Sequence, residues 1–416
     1  MIARGEAGRE WRAGWPVVLA ATAGTTLPIV HLYSTGVMLP ALEAEFGWTR
    51  AEISSGPAIV SVVVVLLAPI VGMLVDRFGP RLVGLAGGLW FCLSISLLGL
   101  GDQPIATWWA LWALVSLGAV AVNPSVWAAG VSRTFNASRG LALAVALTGT
   151  GIGALLVPIA AGGLLEAFGW RQAYLLLGLC WGLVAVPLIY AGFRMKDDRS
   201  PAKPEGTVRS GGARTILLSR RFAMLALAAT AVTFAGNGIV INLVPMLIDR
   251  GLAPLEAAGV AGVAGIGSIV GRLSGGLLLD RINAGIVAAL SAGTLCLGVV
   301  VLFLLPASPG QAIVAVAVLG LAVGVEFDAV AYLASRHFGL EKFGLVFGTI
   351  TGLLALTGGL APLATNTIFD VSGSYFGALF LSAPLAVGAA ALFLLLGPYP
   401  ADDGPHAAAS QKSRKA

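Results

Sequence analysis

The stretch GIGSIVGRLSGGLLLDR, residues 265–281, reads as a membrane-spanning helix that contains one permanent positive charge. The polar pair Asp280–Arg281 marks the end of its apolar run, and Arg272 lies eight residues before that pair. Because each helical residue rises about 1.5 Å, Arg272 lies roughly 12 Å below the membrane edge. A guanidinium does not lose its proton in proteins, and holding one at this depth costs about 3 kcal/mol. We therefore expect Arg272 to face water, a carboxylate or an anionic ligand.

The composition of the whole chain is that of a membrane protein. Of its 416 residues, 57% are hydrophobic and 11% are charged, whereas soluble domains carry about 25% charged residues. A water-soluble globule could not hide so many apolar side chains. The sequence therefore predicts an all-α membrane protein that crosses the bilayer many times.

The positions of the basic residues explain the formal net charge of +5. Of the 25 Lys and Arg residues, 21 fall in alternate loops or tails, whereas Arg50, Arg171 and Arg250 fall on the opposite side. This positive-inside pattern orients a chain in the membrane. It predicts that both termini are cytoplasmic, and it gives no reason to expect a nucleic-acid partner.

Apolar stretches of about 20 residues are long enough to cross a bilayer, and we count twelve. A charged segment rich in proline and glycine separates them into two sets of six. We therefore predict two six-helix bundles, residues 1–192 and 221–400, with a cytoplasmic linker at 193–220 and a disordered cytoplasmic tail at 401–416. The expected spans are approximately 15–41, 53–75, 82–101, 104–132, 140–165, 170–192, 221–247, 256–279, 286–305, 311–335, 344–369 and 376–399.

An internal repeat relates the two sets of spans. An offset of 204 residues aligns them without a gap and pairs Gly47 with Gly251. It also pairs the pattern Gly-x-x-x-Asp-Arg at 72–77 with the same pattern at 276–281. The matches recur at corresponding loops and helix ends, so we interpret the two sets as parallel repeats with a substrate site between them.

The loop between spans two and three, GMLVDRFGPR at residues 72–81, is the most specific motif in the chain. It resembles the signature loop of the major facilitator superfamily, and a weaker copy follows span eight. Together with the twelve spans and the central linker, the resemblance covers the whole chain. It implies two six-helix bundles that rock about a central cavity and give alternating access. A gating or helix-docking role is expected for Gly72, Asp76, Arg77, Gly79, Arg81, Gly276, Asp280 and Arg281.

A second set of motifs is similar to the monocarboxylate porter and oxalate/formate antiporter branch of that superfamily. The motifs are EFGWTR at 45–50, RTF and RG within 133–140, GR and DR within 271–281, and SRHFG at 335–339. In that branch the arginine of span eight is associated with the substrate carboxylate, and Arg272 matches it. Many members carry an aspartate one turn before that arginine, whereas this chain has Ser268. If protons are carried, the acid must lie elsewhere.

Span ten offers two acids, Glu326 and Asp328. Glu326 is expected about 15 Å deep, near the level of Arg272. Positions two apart on a helix point about 200° apart, so the two acids cannot both face one cavity. Asp328 shares its face with Tyr332, whereas Glu326 shares its own with apolar residues. We favour Asp328 as the acid that faces the cavity, with Glu326 as a packing partner or a protonated acid; a static ion pair with Arg272 is the alternative.

Other polar residues inside the spans are candidates for the pocket. His31 and Tyr33 lie in the outer half of span one, which lines the cavity in the resembled family, and histidine can relay a proton near neutral pH. Alternatively, His31 is a hydrogen-bonded core residue. Asn123, Asn237 and Tyr332 could also contact a ligand, although hydrogen bonds between helices explain the asparagines equally well.

No pattern in the sequence indicates an enzyme. Cys92, Cys180 and Cys296 all lie within apolar spans, so we see neither a disulfide framework nor metal-ligand spacing. A phosphate-binding loop and a nucleophile–base pair are also missing from the sequence. We therefore expect no cofactor and no metal.

These observations favour a secondary transporter. The expected function is proton-coupled uptake of a small organic anion, similar to a monocarboxylate, by a monomer in a bacterial inner membrane. In this hypothesis Arg272 binds the carboxylate, and Asp328 or Glu326 carries the proton. Three alternatives stay open: exchange of one anion for another, export of amphipathic or cationic compounds, and a transporter-like receptor.

Overall fold

The computed structural model describes residues 2–136, 138–193, 215–279, 281–304 and 308–399. Asp280, the predicted tail and most of the predicted linker lie outside the described residues. No β-strand occurs in these ranges. The helices are α1 (Ile2–Phe46), α2 (Arg50–Leu97), α3 (Ile105–Ala121), α4 (Pro124–Thr134), α5 (Arg139–Gly192), α6 (Arg220–Val240), α7 (Leu243–Ile248), α8 (Pro254–Leu279), α9 (Ala284–Leu304), α10 (Pro309–Phe338), α11 (Leu340–Ser372) and α12 (Phe376–Leu395), with a short 3-10 turn at Leu98–Leu100.

Ten helical segments in the described ranges are long and apolar enough to cross a membrane. Many of their outward side chains are large and apolar; Leu183 on α5, for example, is 75% exposed. Exposed apolar patches of this extent mark a surface that faces another apolar medium. The surface therefore fits the predicted class of membrane protein.

Two of the ten segments are divided by an internal turn into two limbs. α2 has 48 residues, and a straight helix of that length would extend about 72 Å. Gly79 interrupts α2 with a φ of 81°, a conformation that favours glycine. Both limbs reach Trp108, whose indole Nε1 donates to the carbonyl of Ile53 at 3.1 Å and whose ring packs against Gly101, just beyond the second limb. α2 thus turns back on itself at Gly79.

α5 has 54 residues and turns back in the same way. Gly169, with a φ of 78°, interrupts it. Near the start of α5 the carbonyl of Ala146 accepts a hydrogen bond from Thr25 Oγ1 on α1 at 2.7 Å. Near the end of α5, Gly192 packs against the backbone of α1 again. The two limbs therefore lie side by side against one helix.

The internal repeat extends to the helix boundaries. The N-terminal half (α1–α5) and the C-terminal half (α6–α12) correspond at the offset of 204 residues, because α8 begins 204 residues after α2 and α10 begins 204 residues after α3. Turn glycines with positive φ also coincide at this offset. These pairs are Gly47 with Gly251 and Gly169 with Gly373.

Predicted spans four and seven each consist of two helices. In span four, Asn123 lies between α3 and α4, and Pro124 begins the new helix because it has no N–H to continue the old one. In span seven, α6 ends at Val240 and α7 starts at Leu243. There the Asn242 side chain donates to the carbonyl of Gly238 at 2.9 Å, which satisfies a carbonyl at the end of α6.

Candidate functional site

α8 and α10 lie in backbone contact along a row of glycines. A Cβ atom at Gly324 would overlap the carbonyl oxygen of Ser268 and lie 2.9 Å from the backbone nitrogen of Arg272. A Cβ atom at Gly271 would likewise overlap the backbone of α10. Small residues permit this close approach of two helices. It brings together the side chains one turn further on, Arg272 on α8 and Asp328 on α10.

Arg272 and Asp328 form an ion pair inside the apolar part of the chain. Arg272 Nη1 donates to Asp328 Oδ1 at 3.1 Å. The arginine side chain is 8% exposed and the aspartate side chain 26% exposed, so the pair is accessible mainly from the side of the acid. Among the described residues, Asp328 is the one hydrogen-bond partner of this guanidinium. Since a guanidinium has five N–H donors, Arg272 keeps donors for a second ligand.

The ion pair shows how an acid reaches Arg272 although Ser268 replaces the aspartate of the resembled branch. Ser268 is buried where Gly324 of α10 packs on its carbonyl. The carboxylate comes instead from Asp328, one turn beyond Gly324 on the neighbouring helix. The acid and the arginine are therefore paired across two helices rather than along one.

Glu326 points away from this pair. It is 8% exposed and accepts a hydrogen bond from Thr233 Oγ1 on α6. Asp328, two residues later, contacts α8 instead. This separation follows from the angle of about 200° between positions two apart on a helix. α10 thus carries one acid toward α6 and the other toward Arg272.

His31 lies in the N-terminal half among aromatic side chains. Its ring is edge-on to Phe91 and Trp112, with centroids 5.8 and 6.1 Å away. The residue is buried, and its Nδ1 has no hydrogen-bond partner within the part of the chain that the structure describes. Tyr33, two residues later, is half-buried against the same core. These surroundings are those of a packed core residue, the alternative reading of His31.

The other predicted pocket residues occupy three different places. Asn123 caps α4, where its Oδ1 accepts from the backbone N–H of Ser125 at 3.3 Å. Asn237 is half-buried on α6, facing Gly358 of α11. Tyr332 is half-buried one turn beyond Asp328. Of these residues, Tyr332 shares a face of α10 with Asp328 because the two are one turn apart, whereas Asn123 lies in the N-terminal half.

The predicted gating motif surrounds the turn between the limbs of α2. Gly79 forms the turn, and Asp76 and Arg77 are exposed beside it. The guanidinium carbon of Arg77 lies 5.2 Å from the ring centroid of Phe78. That of Arg81 lies 5.4 Å from the ring centroid of Tyr190 on α5. The motif thus presents two arginines at one end of the molecule.

Gly72 of this motif and Gly276 of its weaker copy are not in close helix contact in this conformation. A Cβ atom at Gly72 or at Gly276 would meet no atom within 4 Å. Arg281, at the end of the weaker copy, is exposed. A docking role for these residues therefore requires a different arrangement of the two halves.

At the opposite end, a polar cluster that the sequence analysis did not single out joins the two halves. Arg50, the first residue of α2, has a side chain that is 7% exposed. Its guanidinium donates to Asp249 Oδ2 at 2.6 Å, to Asp249 Oδ1 at 3.1 Å and to Glu43 Oε2 at 3.2 Å. It also lies over the ring of Phe369, 3.6 Å from the centroid. Because Asp249 and Phe369 belong to the C-terminal half, Arg50 ties the halves together.

Residues of α11 and the following turn complete this cluster. Asp370 accepts from the first two backbone N–H groups of α2, at 3.0 and 2.8 Å, and so caps that helix from the other half. Burial raises the pKa of the Tyr375 hydroxyl above its ordinary value, so the hydroxyl keeps its proton and donates to Asn366 Oδ1 at 2.8 Å. We name the cluster the outer latch, after the side on which the positive-inside pattern predicts it; it comprises Glu43, Arg50, Asp249, Asn366, Asp370 and Tyr375.

One signal in the sequence could have indicated the outer latch. Arg50 is one of three basic residues on the side that the positive-inside pattern leaves poor in them. Its partners, however, are separated from it by about 200 and 320 residues along the chain. Only the folded arrangement brings them into contact.

The halves also pack along two helix pairs on the side of the outer latch. A Cβ atom at Gly359 of α11 would overlap Ser61 Oγ of α2. A Cβ atom at Gly151 of α5 would lie 2.6 Å from Ile269 of α8. Toward the other end, Cβ atoms at Gly140 on α5 and at Gly344 and Gly348 on α11 would meet no atom within 4 Å. Close packing between the halves is thus concentrated on one side of the Arg272–Asp328 pair.

Comparison with known proteins identifies the family. The family model of the Major Facilitator Superfamily matches residues 17–362, a range that contains Arg272 and Asp328. The chain belongs to the major facilitator superfamily. The resemblance indicated by the loop at 72–81 is therefore confirmed, and with it the class of multi-pass membrane transporter rather than enzyme.

Relatives of this major facilitator chain include proteins named as monocarboxylate transporters. Human monocarboxylate transporter 11 is 29% identical, over 92% of this chain and 82% of its own length. Rat monocarboxylate transporter 13 is 27% identical, over 92% of this chain and 89% of its own length. The predicted similarity to the monocarboxylate branch is therefore confirmed.

A solved structure supports the major facilitator fold. It is the crystal structure of a bacterial homolog of the human lysosomal transporter Spinster, in an inward-facing and unoccupied conformation. The superposition gives a TM-score of 0.66 and covers 91% of this chain and 94% of that one. At 18% sequence identity, the likeness concerns the fold alone.

Proposed function

We propose that this protein is a secondary transporter that carries a small organic anion of the monocarboxylate type together with a proton. The observation that carries the proposal is the ion pair of Arg272 and Asp328. A cation within a membrane-crossing helix persists where it meets a counter-charge or a ligand. Arg272 has one such partner in the described ranges and keeps further donors. A carboxylate fits these donors because a guanidinium can bind it through two parallel hydrogen bonds.

Asp328 competes with the substrate for Arg272 in this mechanism. While Asp328 is ionised, it neutralises the arginine and the site is electrically balanced. Protonation removes the charge of Asp328, and the substrate carboxylate then becomes the counter-ion of Arg272. The empty site and the site loaded with one proton and one anion therefore carry the same net charge. Binding of the anion alone would leave an uncompensated negative charge in the membrane interior, which is costly.

We propose the other residues of the pocket from the helices that carry them. We assign one wall to Tyr332, one turn beyond Asp328, and to Asn237 on α6. Tyr33 and Asn123 belong to the N-terminal half and are candidates for the opposite wall, whereas His31 packs among Phe91 and Trp112 in the core. Glu326, bound to Thr233, stabilises the contact of α10 with α6 in this proposal.

The architecture in this proposal consists of twelve crossings in two six-helix bundles. Ten segments are long enough to cross, and α2 and α5 each turn back and so supply a second crossing. The outer latch and the packing beside it support a conformation that is closed to the outside and open to the cytoplasm. By the positive-inside pattern both termini lie in the cytoplasm. The protein would act as a monomer in a cell inner membrane.

Two other functions would use the same residues in different ways. Export of a cationic compound needs an acid that is free to bind it, but Asp328 is bound to Arg272 and Glu326 to Thr233. These contacts favour the anion carrier. Exchange of one anion for another would use Arg272 in the same way but would not need the proton of Asp328.

Uptake into proteoliposomes tests the proposal. Labelled acetate, lactate and pyruvate are offered with and without an inward proton gradient, and the wild type should accumulate at least one of them when the gradient is present. Arg272→Lys keeps the positive charge but lacks the planar guanidinium that can bind a carboxylate through two hydrogen bonds. Uptake should therefore fall at least about tenfold. Arg336→Lys, at an exposed position near the end of α10, is the matched control and should retain uptake.

Two results would contradict the proposal. Unchanged uptake in Arg272→Lys would reject carboxylate binding by this arginine. Absence of carboxylate uptake, together with proton-driven efflux of a cationic dye, would identify the exporter instead.

A further inference from the structure

A groove of about 510 Å³ lies on the surface of the N-terminal half, between the two limbs of α2 and helix α3. Its walls are apolar, and most of the large side chains that form them are exposed. Trp90 closes one end, where its indole Nε1 donates to the carbonyl of Leu114 at 2.9 Å. The side chains that shape the groove include Leu74, Phe78, Leu82, Ala86, Trp90 and Leu117.

The length of the groove corresponds to one leaflet of a bilayer. Phe78 lies beside the turn at Gly79, and the second limb runs ten residues from Pro80 to Trp90. Ten helical residues extend about 15 Å, and one leaflet of the hydrocarbon core is about 15 Å thick. The groove therefore runs from the motif end of the helices to about the middle of the membrane. An extended acyl chain has this direction and depth.

Two arginines flank the end of the groove at this turn. Arg77 precedes Phe78, and its guanidinium carbon lies 5.2 Å from the Phe78 ring centroid. Arg81 begins the second limb beside Leu82 of the groove wall, and its guanidinium carbon lies 5.4 Å from the ring centroid of Tyr190 on α5. Within the described ranges, neither arginine has a carboxylate partner within 4 Å. The mouth of an apolar groove thus carries two positive charges.

We propose that this groove binds an anionic phospholipid of the cytoplasmic leaflet. One acyl chain lies between Phe78 and Trp90, and the phosphate lies between Arg77 and Arg81. Basic pockets between membrane helices on the cytoplasmic side recognise anionic headgroups, and each arginine near the surface strengthens their binding about fivefold. An anionic phospholipid matches both parts of the site, because its chain fills the apolar walls while its headgroup meets the guanidinium groups.

Fluorescence quenching at Trp90 tests the proposal. Wild type and Trp90→Phe are reconstituted into phosphatidylcholine bilayers with increasing fractions of phosphatidylglycerol that is brominated on its acyl chains. The difference in quenching between the two proteins reports on Trp90 alone. Half-maximal quenching should require a several-fold smaller fraction of brominated phosphatidylglycerol than of brominated phosphatidylcholine.

Further variants distinguish recognition of the headgroup from binding of the acyl chain. In the double variant Arg77→Gln/Arg81→Gln the preference for phosphatidylglycerol should fall to about one, whereas Arg336→Gln should keep it. The double variant Arg77→Lys/Arg81→Lys retains both charges and should also keep the preference. It controls for an effect on folding of substitution at these two positions. Ala86→Phe fills the groove and should reduce quenching by both lipids.

The matched control for Ala86→Phe is Leu183→Phe, because Leu183 is exposed on α5, away from the groove. It should leave the quenching unchanged. Equal half-quenching fractions of the two lipids in the wild type would overturn the proposal. An unchanged preference in Arg77→Gln/Arg81→Gln would overturn it as well.

Discussion

Arg50 at the start of α2 and Asp249 beyond α7 hold each other through two hydrogen bonds, of 2.6 and 3.1 Å, across the boundary between the two halves of the protein. The arginine is almost fully buried, whereas the aspartate is one-third exposed. Loss of one partner leaves the other charge without compensation in a partly buried place, which is more costly than the pair itself. This pair is therefore the part of the outer latch whose removal should have the largest effect.

The first prediction concerns opening of the outer latch. Arg50→Gln should weaken the closed outer side by about 2 kcal/mol, which shifts the ratio of conformations by roughly thirtyfold. Spin labels at Asp102→Cys and Glu256→Cys, on exposed outer positions of the two halves, measure the change. The label distance should lengthen in the variant.

The matched control for this prediction is Arg171→Gln. Arg171 pairs with Glu45, and both residues belong to the N-terminal half. Its removal should leave the label distance unchanged. If Arg50→Gln and Arg171→Gln behave alike, the outer latch does not hold the halves together.

The second prediction concerns the contact between α8 and α10. Gly324→Ala places a Cβ atom against the carbonyl of Ser268, so the helices must separate. Overpacking of this kind costs about 1–3 kcal/mol, and it moves Asp328 away from Arg272. Thermal unfolding of the purified protein should shift to lower temperature, and carboxylate uptake should be lost.

Gly293→Ala on α9 is the control for the glycine variant. A Cβ atom there meets no atom within 4 Å, and alanine is the better helix former by about 1 kcal/mol. Thermal stability should therefore stay equal or rise. A Gly324→Ala protein as stable and active as the wild type would show that the ion pair does not depend on this backbone contact.

The third prediction separates the two acids of α10. Uptake by the wild type should increase as the external pH falls, because each anion enters with a proton. Asp328→Asn cannot carry that proton, so it should lose proton-driven accumulation and its pH dependence but retain exchange of labelled for unlabelled anion. Initial rates measured over a range of external pH test this expectation.

Glu326→Gln is the companion variant for Asp328→Asn. Glutamine keeps an oxygen that accepts the hydrogen bond of Thr233. Accumulation should therefore persist and thermal stability should change little. The reverse pattern, in which Glu326→Gln abolishes accumulation and Asp328→Asn does not, would assign proton coupling to Glu326.

The fourth prediction concerns His31. Its buried Nδ1 has no hydrogen-bond partner among the described residues, and an unsatisfied buried polar atom destabilises a protein by about 1–3 kcal/mol. His31→Phe fits among Phe91 and Trp112 without that penalty. We expect equal or higher thermal stability and unchanged uptake. A strong rise in KM for the substrate would instead place His31 in the pocket.

Composition, span length and motif spacing were sufficient to predict the membrane class and the family. They depend on features that act locally along the chain, such as the charge of a loop or the length of an apolar run. The depth of Arg272 below the membrane edge stays a prediction from the rise of one helix. The different directions of Glu326 and Asp328 followed from the angle between positions two apart on one helix.

Two features could not be decided from the sequence because they depend on contacts between distant segments. An ion pair of Arg272 with an acid of span ten was one alternative, but which acid forms it depends on the approach of α8 and α10 at Gly324. The outer latch joins Arg50 to Asp370, residues about 320 positions apart. Breaks inside spans four and seven were missed because hydropathy does not register the local capping by Asn123 and Asn242.

The outer latch contains three carboxylates, Glu43, Asp249 and Asp370, but a single guanidinium. When the halves part, Arg50 and Glu43 move with one side, and Asp249 and Asp370 stay on the other without a cation. One wall of the opened entrance is then acidic, and such a surface concentrates protons and repels anions. For the proposed proton-coupled carrier, such an entrance predicts an ordered sequence of loading, in which the proton arrives first and the organic acid follows it.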